Sequence, residues 1–326
     1  MSKFQPKILI SAGREAVSGA SYNPKKLALF HSGIAAAAGF LVVLMSYCLD
    51  LGMDQVGGLS GMSHLAALET AQTLLDFLLS ILNPFWAMGF IAAALHLARR
   101  EAATPHCLLT GLRRWAPTLR MLLTQGLIYF GVMMVGAQIG SFVYMLTPFS
   151  QPLNDLLQQL SNTDMANIAT MEQLLLELDY DALVHLALSM IPFLFLPGMI
   201  VVILLAYRMR LAPYILMDEP RCGAVYAILM SFRLTKKHSL ELFRLDLNFW
   251  WSYVLELLIA VLCYGELVLP LLGVELGMNQ VLASFLFYAL ALVCQVGLYT
   301  WQKPRIFTTY ALFYDGLLPQ EPEEDI

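Results

Sequence analysis

The sequence predicts an all-α fold: a polytopic transmembrane helical bundle of six spans, with short amphipathic interfacial helices on the cytoplasmic side. The composition is the first reason, because 59% of the residues are hydrophobic and only 13% are charged, whereas soluble domains carry about 25% charged residues. The second reason is a set of six apolar segments long enough to cross a bilayer. The third is that lysine and arginine fall only on alternate connections between those segments.

The apolar segments give the order of the spans. A spanning helix needs about 20 consecutive apolar residues at about 1.5 Å rise each. The segments that satisfy this are 28–49, 75–98, 119–146, 182–207, 246–270 and 281–301. The first follows a basic amphipathic leader, residues 1–27, but its apolar run is too long for a signal peptide, and no small-residue cleavage site follows it. We therefore expect a six-helix transmembrane domain over 28–301 and a cytoplasmic tail over 302–326.

Charge orients the chain, because positive residues resist translocation across a membrane. The leader, two basic segments at 99–120 and 208–245, and the tail together hold all 19 lysines and arginines. The remaining connections carry aspartate and glutamate instead, most of all in an acidic segment at 147–181. Both termini and the two basic segments are therefore predicted to be cytoplasmic, and the acidic segment is predicted to lie outside.

Parts of both basic segments have the pattern of helices that lie on a membrane surface. Residues 104–120 and 218–237 each begin near a proline, carry apolar residues at helical spacing, and gather basic residues toward one end. An interfacial helix needs this combination of an apolar face and a basic face. We expect both segments to form short helices at the inner boundary.

The stretch MSFRLTKKHSLELFRLDLNFWW, residues 230–251, places cations directly before an apolar run. Its tryptophans fall where indole rings favour the headgroup level. Two interpretations stay open: an anchor that only fixes topology, or a site for anionic lipid headgroups or a membrane-protein partner. The candidate residues for lipid or partner binding are Arg233, Lys236, Lys237, His238, Arg244, Trp250 and Trp251.

Ionisable residues inside the spans raise an alternative, because charges at membrane depth are functional candidates. Glu256 is the deepest of them and would carry a proton or cation in a transporter of ions or small molecules. A structural interpretation instead gives Glu256 a hydrogen-bond partner on another helix. The candidate partners are Gln295, Gln125 and Gln138.

Prolines in the second and fourth spans point the same way. The segments LNPFW, at 82–86, and MIPFLFLPG, at 190–198, predict that these helices are broken, as helices around transporter substrate sites often are. The residues assigned to transport are Glu256, Glu266, Asp76, Pro192 and Pro197. The segment GAQIGS at 136–141, with Gly131, provides small-residue spacing for close helix packing instead.

No constellation for catalysis or metal binding stands out. The five cysteines are odd in number, and none forms a CxxC motif or a Cys/His cluster with metal-ligand spacing. The sequence holds no phosphate loop, GxSxG elbow or HExxH motif. The net charge is only −5, and the charged residues are of both signs, so nucleic acid is not indicated as a partner. We therefore expect neither enzymatic activity nor a cofactor or metal.

The run YRMRLAPYILMDEPRCGAVYAILMSFRLTKKHSLELFRLDLNFWW, residues 207–251, resembles a bacterial family of six-helix membrane proteins typed as domain of unknown function 975. Members carry an aspartate-proline turn, an S-R-x-x-K-G-like segment and an L-F-x-L-D-L run before helix five. The matching positions are Tyr207, Asp218, Pro220, Ser231, Arg233, Lys236, Leu242, Phe243, Leu245, Asp246 and Leu247. The closing TTYALFYDGLL also matches, through Tyr310, Phe313 and Tyr314, whereas Lys237 and His238 replace the usual glycine-histidine.

The resemblance implies fold and location but no activity, because the family has no established substrate. We expect a non-catalytic, multi-pass protein of the bacterial cytoplasmic membrane that recruits a partner or organises lipid. Its expected partners are the lipid bilayer with its anionic headgroups, and either a membrane protein or further copies of this chain. Transport is the alternative.

Overall fold

The computed structural model describes residues 5–53, 59–151, 180–219, 221–265 and 280–318. All regular structure in these ranges is helical, so the predicted all-α class is confirmed. A helix satisfies its own backbone hydrogen bonds, which is what a chain of this hydrophobicity requires. In chain order the helices are α1 (Pro6–Ser18), α2 (Pro24–Met53), α3 (Leu59–Ala98), a 3-10 helix (Pro105–Leu109), α4 (Thr110–Arg113), α5 (Trp115–Met145), a 3-10 turn (Pro148–Ser150), α6 (Tyr180–Met209), α7 (Ala212–Asp218), α8 (Ala224–Thr235), α9 (Ser239–Asn248), α10 (Trp250–Cys263) and α11 (Gln280–Leu317).

Length and hydropathy make this a membrane-embedded helical bundle. Among the described residues, five helical segments are long and apolar enough to cross a bilayer, or six if α9 and α10 form one bent span. The five are Pro24–Cys48, Glu69–Ala98, Trp115–Met145, Leu188–Asp218 and Leu282–Leu317. Large apolar side chains such as Leu127, Phe142 and Leu204 lie exposed on them, as suits contact with lipid.

Helix five differs from the predicted 246–270. Helix α9 ends at Asn248, helix α10 begins at Trp250, and the two meet at 56°. The N–H of Phe249 still donates to the carbonyl oxygen of Asp246 at 2.8 Å, so the bend is a hydrogen-bonded turn. Residues 266–270 lie outside the described residues.

Helices two and four are continuous through their prolines, so the expectation that they are broken is wrong. Pro84 lies inside α3, and Pro192 and Pro197 lie inside α6. Each proline removes one backbone donor, and a long helix in an apolar environment retains the others. The last helix, in turn, runs on to Leu317 instead of ending at 301.

The chain divides into two compact units. The larger contains residues 1–121 and 211–326, and there α11 packs against α1, α2, α3 and α10. A cluster of buried side chains on α2, α3 and the 3-10 helix Pro105–Leu109 forms part of its core. That cluster includes Leu27, Ala28, Phe90, Ala93, Leu97 and Leu108.

The smaller unit contains residues 122–210, of which 122–151 and 180–210 are described. There α5 and α6 approach so closely that a Cβ on Gly136 would lie 2.3 Å from the Cα of Gly198. A Cβ on Gly140 would lie 1.8 Å from the carbonyl oxygen of Phe193. Gly131 has nothing within 4 Å, so only two of the three predicted glycines serve this contact. Most of the acidic segment 147–181 lies outside the described residues.

Candidate functional site

One guanidinium joins the ends of three helices in the larger unit. Arg99 follows α3, Asp218 ends α7, and Asp315 lies near the end of α11. The two Nη atoms of Arg99 donate to the two carboxylate oxygens of Asp218 at 2.5 and 2.9 Å. Nη2 also donates to Asp315 at 2.8 Å, and the Tyr314 hydroxyl donates to Asp218 at 3.0 Å. We call Arg99, Asp218, Tyr314 and Asp315 the ion-pair cluster.

The electrostatics of the cluster stabilise the charged guanidinium. The hydrogen bonds that Arg99 donates to Asp218, and then those to Asp315, raise the pKa of Arg99 above its ordinary value. The side chains remain partly exposed, at 34% for Arg99, 17% for Asp218 and 25% for Asp315. The cluster therefore connects the ends of three helices by ion pairs that remain partly accessible to solvent.

Two neighbouring arginines take part in the structures that end helices α3 and α7. Arg100 has a φ of 59°, and the N–H of Glu101 donates to the carbonyl oxygen of His96 at 2.8 Å, which terminates α3 in a Schellman motif. Arg114 donates to the carbonyl oxygens of Met217 and Glu219 at 3.2 and 3.0 Å, at the end of α7. These arginines thus have structural partners in addition to any effect on topology.

Residues that carry the family resemblance come together in the core of the same unit. The Tyr310 hydroxyl on α11 donates to the carboxylate of Asp246, which is buried on α9. Phe313 and Leu245 are fully buried. The motif residues therefore mark a contact between α9 and α11, two helices that are far apart along the sequence.

The residues predicted to bind lipid or a partner divide into two groups. Arg233, Lys236, Lys237, Arg244 and Trp250 are exposed. The other two are engaged within the protein: His238 Nδ1 lies 2.6 Å from Glu241 Oε2, and the Trp251 ring lies 5.2 Å from that of Trp301.

Helix α9 has two apolar faces. Leu242, Leu245 and Asp246 are buried against the bundle, whereas Leu240, Phe243 and Leu247 point away and are exposed. Helix α8 repeats the arrangement, with Ala224, Ala227 and Ile228 buried and Val225, Tyr226 and Leu229 exposed. The segment at 104–120 is more closely held, because Leu108 is fully buried against α3.

Two of the transport candidates, Glu256 and Asp76, lie in the larger unit. Glu256 is half-buried on α10 and interacts electrostatically with Lys303 of α11, a residue that sequence analysis assigned to the tail. Of the glutamines considered as partners, Gln295 donates to the Tyr299 hydroxyl at 3.2 Å. Asp76 is exposed on α3 beside a cavity of about 470 Å³.

Pro192 and Pro197 lie in the continuous α6, whose Gly198 packs against α5. Glu266 lies outside the described residues. Among the residues that are described, no group of three or more His, Cys, Asp or Glu side chains could hold a metal ion.

Sequence analysis missed Arg99, Asp315 and Lys303 as interacting residues. It treated Arg99 and Lys303 only as cations that orient the chain and placed Asp315 in the tail. A usable signal was present, because Asp218 and Tyr314 belong to the family pattern and both contact the ion-pair cluster.

The fold and these contacts are those of a membrane-embedded helical protein in which ion pairs connect the ends of helices. Residues 35–321 match the family described as Protein of unknown function (DUF975), and the chain belongs to that family. No curated protein and no solved structure matches the chain significantly.

Proposed function

We propose that this chain is a non-catalytic, multi-pass protein of the bacterial cytoplasmic membrane that organises anionic lipid at the inner leaflet. Both termini are cytoplasmic in this proposal, because the leader, the two basic segments and the tail hold every lysine and arginine. The observation that carries the lipid role is the outward face of α9 together with the exposed cations around it.

The outward face of α9 fits a headgroup boundary. Leu240, Phe243 and Leu247 recur at helical spacing, are all exposed, and are followed by the exposed Trp250. Exposing such a face to water costs free energy, whereas at a bilayer surface its apolar side chains reach the acyl boundary. The 56° bend after Asn248 turns the chain from α9 into α10, the apolar helix that follows.

The cations complete the arrangement. Lys236 and Lys237 precede α9, Arg244 lies on it, and all three are exposed. A lysine or arginine near an anionic leaflet contributes about 1 kcal/mol of attraction. Three such residues therefore favour phosphatidylglycerol-type headgroups over zwitterionic ones by a few kcal/mol, about fivefold per residue.

Mass spectrometry of the full-length protein, released from nanodiscs with equal phosphatidylcholine and phosphatidylglycerol, tests this proposal. The wild-type protein should retain phosphatidylglycerol selectively, and the Lys236→Gln/Lys237→Gln variant should lose most of that preference. Retention of a second protein in place of lipid, lost in the same variant, would show that the surface recruits a partner instead.

A matched control removes the same charge elsewhere. Lys25 and Lys26 are exposed at the start of α2, so Lys25→Gln/Lys26→Gln has the same net charge as the test variant. If both variants reduce lipid retention equally, the attraction is spread over the basic surface, and α9 has no special role. If neither variant changes retention, the lipid proposal is wrong.

Transport is a second candidate, supported by Glu256 and Lys303 on adjacent helices. Opposite charges inside spanning helices mark ion pathways in many transporters, and they also occur as structural pairs. Ion flux into proteoliposomes, compared between wild type and Glu256→Gln, distinguishes the two. Equal flux in protein-free vesicles and in both proteins would eliminate transport of the ions assayed.

A further inference from the structure

A cavity in the larger unit lies between α1, the α9–α10 bend and α11, away from the exposed lysines before α9. It has a volume of about 310 Å³. Helix α1 contributes Lys7 and Arg14, the bend contributes Trp251, and α11 contributes Gln302 and Arg305. We call it the cationic pocket.

Charge in the cationic pocket has one sign. Lys7, Arg14 and Arg305 line it, and no acidic side chain is among its described lining residues. Within the part of the chain that the structure describes, none of these three cations forms an ion pair. The neighbouring acid on α1, Glu15, instead accepts a hydrogen bond from Arg100 at 2.8 Å. Three cations around one cavity repel each other unless an anion lies between them.

Gln302, a buried side chain, lines the same cavity. Gln302 is 2% exposed, and its Oε1 accepts a hydrogen bond from the hydroxyl of Ser252, which is also 2% exposed. This bond fixes the orientation of the amide, and Nε2 is left buried without a partner among the described residues. A buried N–H without an acceptor costs free energy, so a ligand that supplies an acceptor is favoured there.

Aromatic contacts hold one of the cations in place. The guanidinium of Arg305 lies 5.1 Å from the centre of the Trp301 ring, and Trp301 in turn contacts Trp251. Stacking of this kind reduces the side-chain freedom that Arg305 would lose when it binds an anion. The pocket also has apolar walls at Ile10 and Ile306, which suit an anion attached to an organic group.

We propose that the cationic pocket binds a phosphate ester, with Lys7, Arg14 and Arg305 neutralising the phosphate and Gln302 Nε2 donating to one of its oxygens. Guanidinium groups and a neutral amide donor are standard partners of phosphate oxygens. The volume suits a headgroup-sized ligand. The ester is either the headgroup of an anionic lipid or a soluble metabolite, and the inference does not rest on the role proposed for α9.

Two probes on full-length protein distinguish the sources. The first is nanodiscs of phosphatidylcholine containing phosphatidylglycerol, read out by the number of phosphatidylglycerol molecules that the released protein retains. The second is glycerol 3-phosphate with protein in detergent, read out as a shift of the unfolding temperature, since a ligand that binds only the folded state raises it. The probe whose response is weakened by substitutions in the pocket identifies the source.

The variant Arg14→Gln/Arg305→Gln should weaken whichever probe binds by at least about tenfold, because two charge-assisted contacts are lost. Its matched control is Arg113→Gln/Arg221→Gln, which removes the same charge at two exposed positions outside both the pocket and α9 and should bind that probe normally. Should the first variant fail to fold, Lys7→Gln alters an exposed end of the pocket and should still weaken binding several-fold.

The proposal is overturned if wild type responds to neither probe, or if the folded pocket variants bind as wild type does. It is also overturned if the control variant loses binding to the same extent, because the attraction would then be a property of net charge.

Discussion

Replacing Arg99 by glutamine tests whether the ion-pair cluster holds the helix ends together. The change leaves a shorter, neutral polar side chain and removes four N–H···O contacts to two carboxylates, at 2.5 to 3.4 Å. Asp218 and Asp315 would then face each other without a cation between them. The Tyr314 hydroxyl would still donate to Asp218, so the loss is partial.

The magnitude follows from burial. Removing one partner of a fully buried ion pair costs about 3–5 kcal/mol, whereas an exposed pair contributes about 0–1 kcal/mol. Arg99 is 34% exposed, so its contacts are screened in part, and we expect Arg99→Gln to lower the free energy of unfolding by about 2 kcal/mol. At about 2–4 °C per kcal/mol, the unfolding temperature should fall by about 4–8 °C.

Thermal unfolding of the detergent-purified protein measures this effect. The adjacent Arg100→Gln is the control, because the Arg100 side chain is 74% exposed and pairs only with Glu15, which is 70% exposed. The double variant Arg99→Gln/Asp315→Asn should be less destabilised than the sum of its single variants, because the second change removes the repulsion left by the first. An unchanged unfolding temperature for Arg99→Gln, or strict additivity, would refute the account of the cluster.

Four further outcomes follow from local structure. Gly89→Ala should destabilise the protein by more than 2 kcal/mol, on the order of other overpacked sites, because its Cβ would lie 1.9 Å from the carbonyl oxygen of Leu108. Gly126→Ala, whose Cβ would have nothing within 4 Å, should instead stabilise α5 by about 0.5–1 kcal/mol in the same thermal assay. Arg100→Gly should raise the unfolding temperature by a few degrees, because a φ of 59° strains any residue with a Cβ. In a variant whose only cysteine is Cys222, maleimide labelling should reach its half-maximal rate at a higher pH in the folded protein than in SDS, because burial raises the pKa of the Cys222 thiol and the thiolate is the reactive form; identical profiles would contradict this.

The helical class and most span positions follow from the sequence because hydropathy and charge alone determine them. The predicted end of span two at residue 98 coincides with the end of α3 at Ala98, since the next two residues are arginines. The end of α5 at Met145 lies one residue from the predicted boundary. Lipid solvates any apolar helix of sufficient length, so no knowledge of tertiary contacts is needed to place these elements.

Tertiary contacts determine the features of the fold that could not be predicted from the sequence. The last helix continues through Lys303 and Asp315 because its far half packs against α1, and a rule based on apolar length stops at the first cation. The bend at Phe249 has no proline or glycine to signal it. Asp218 lies more than a hundred residues from Arg99 and nearly a hundred from Asp315 along the chain. In the sequence, each of the three looks like an ordinary surface charge.

The continuity of α3 and α6 shows the limit of proline as a signal in a membrane. Pro192 and Pro197 each lack an N–H, yet α6 remains one helix from Tyr180 to Met209. In water such a residue costs a helix about 3 kcal/mol, but in lipid any alternative to a helix exposes more backbone groups than the proline does.

The packing of α1 on α11 sets an order of events during synthesis. Helix α1 leaves the ribosome first, and its partner α11 is complete only after about 300 further residues. At about 5–20 residues per second that interval is roughly 15–60 s. Throughout it, the face of α1 that holds Leu9 and Ala16 lacks α11, the helix with which α1 makes its largest contact. An amphipathic helix is also suited to a membrane surface, so the apolar face that later fits α11 has a place to lie while α11 is still being made.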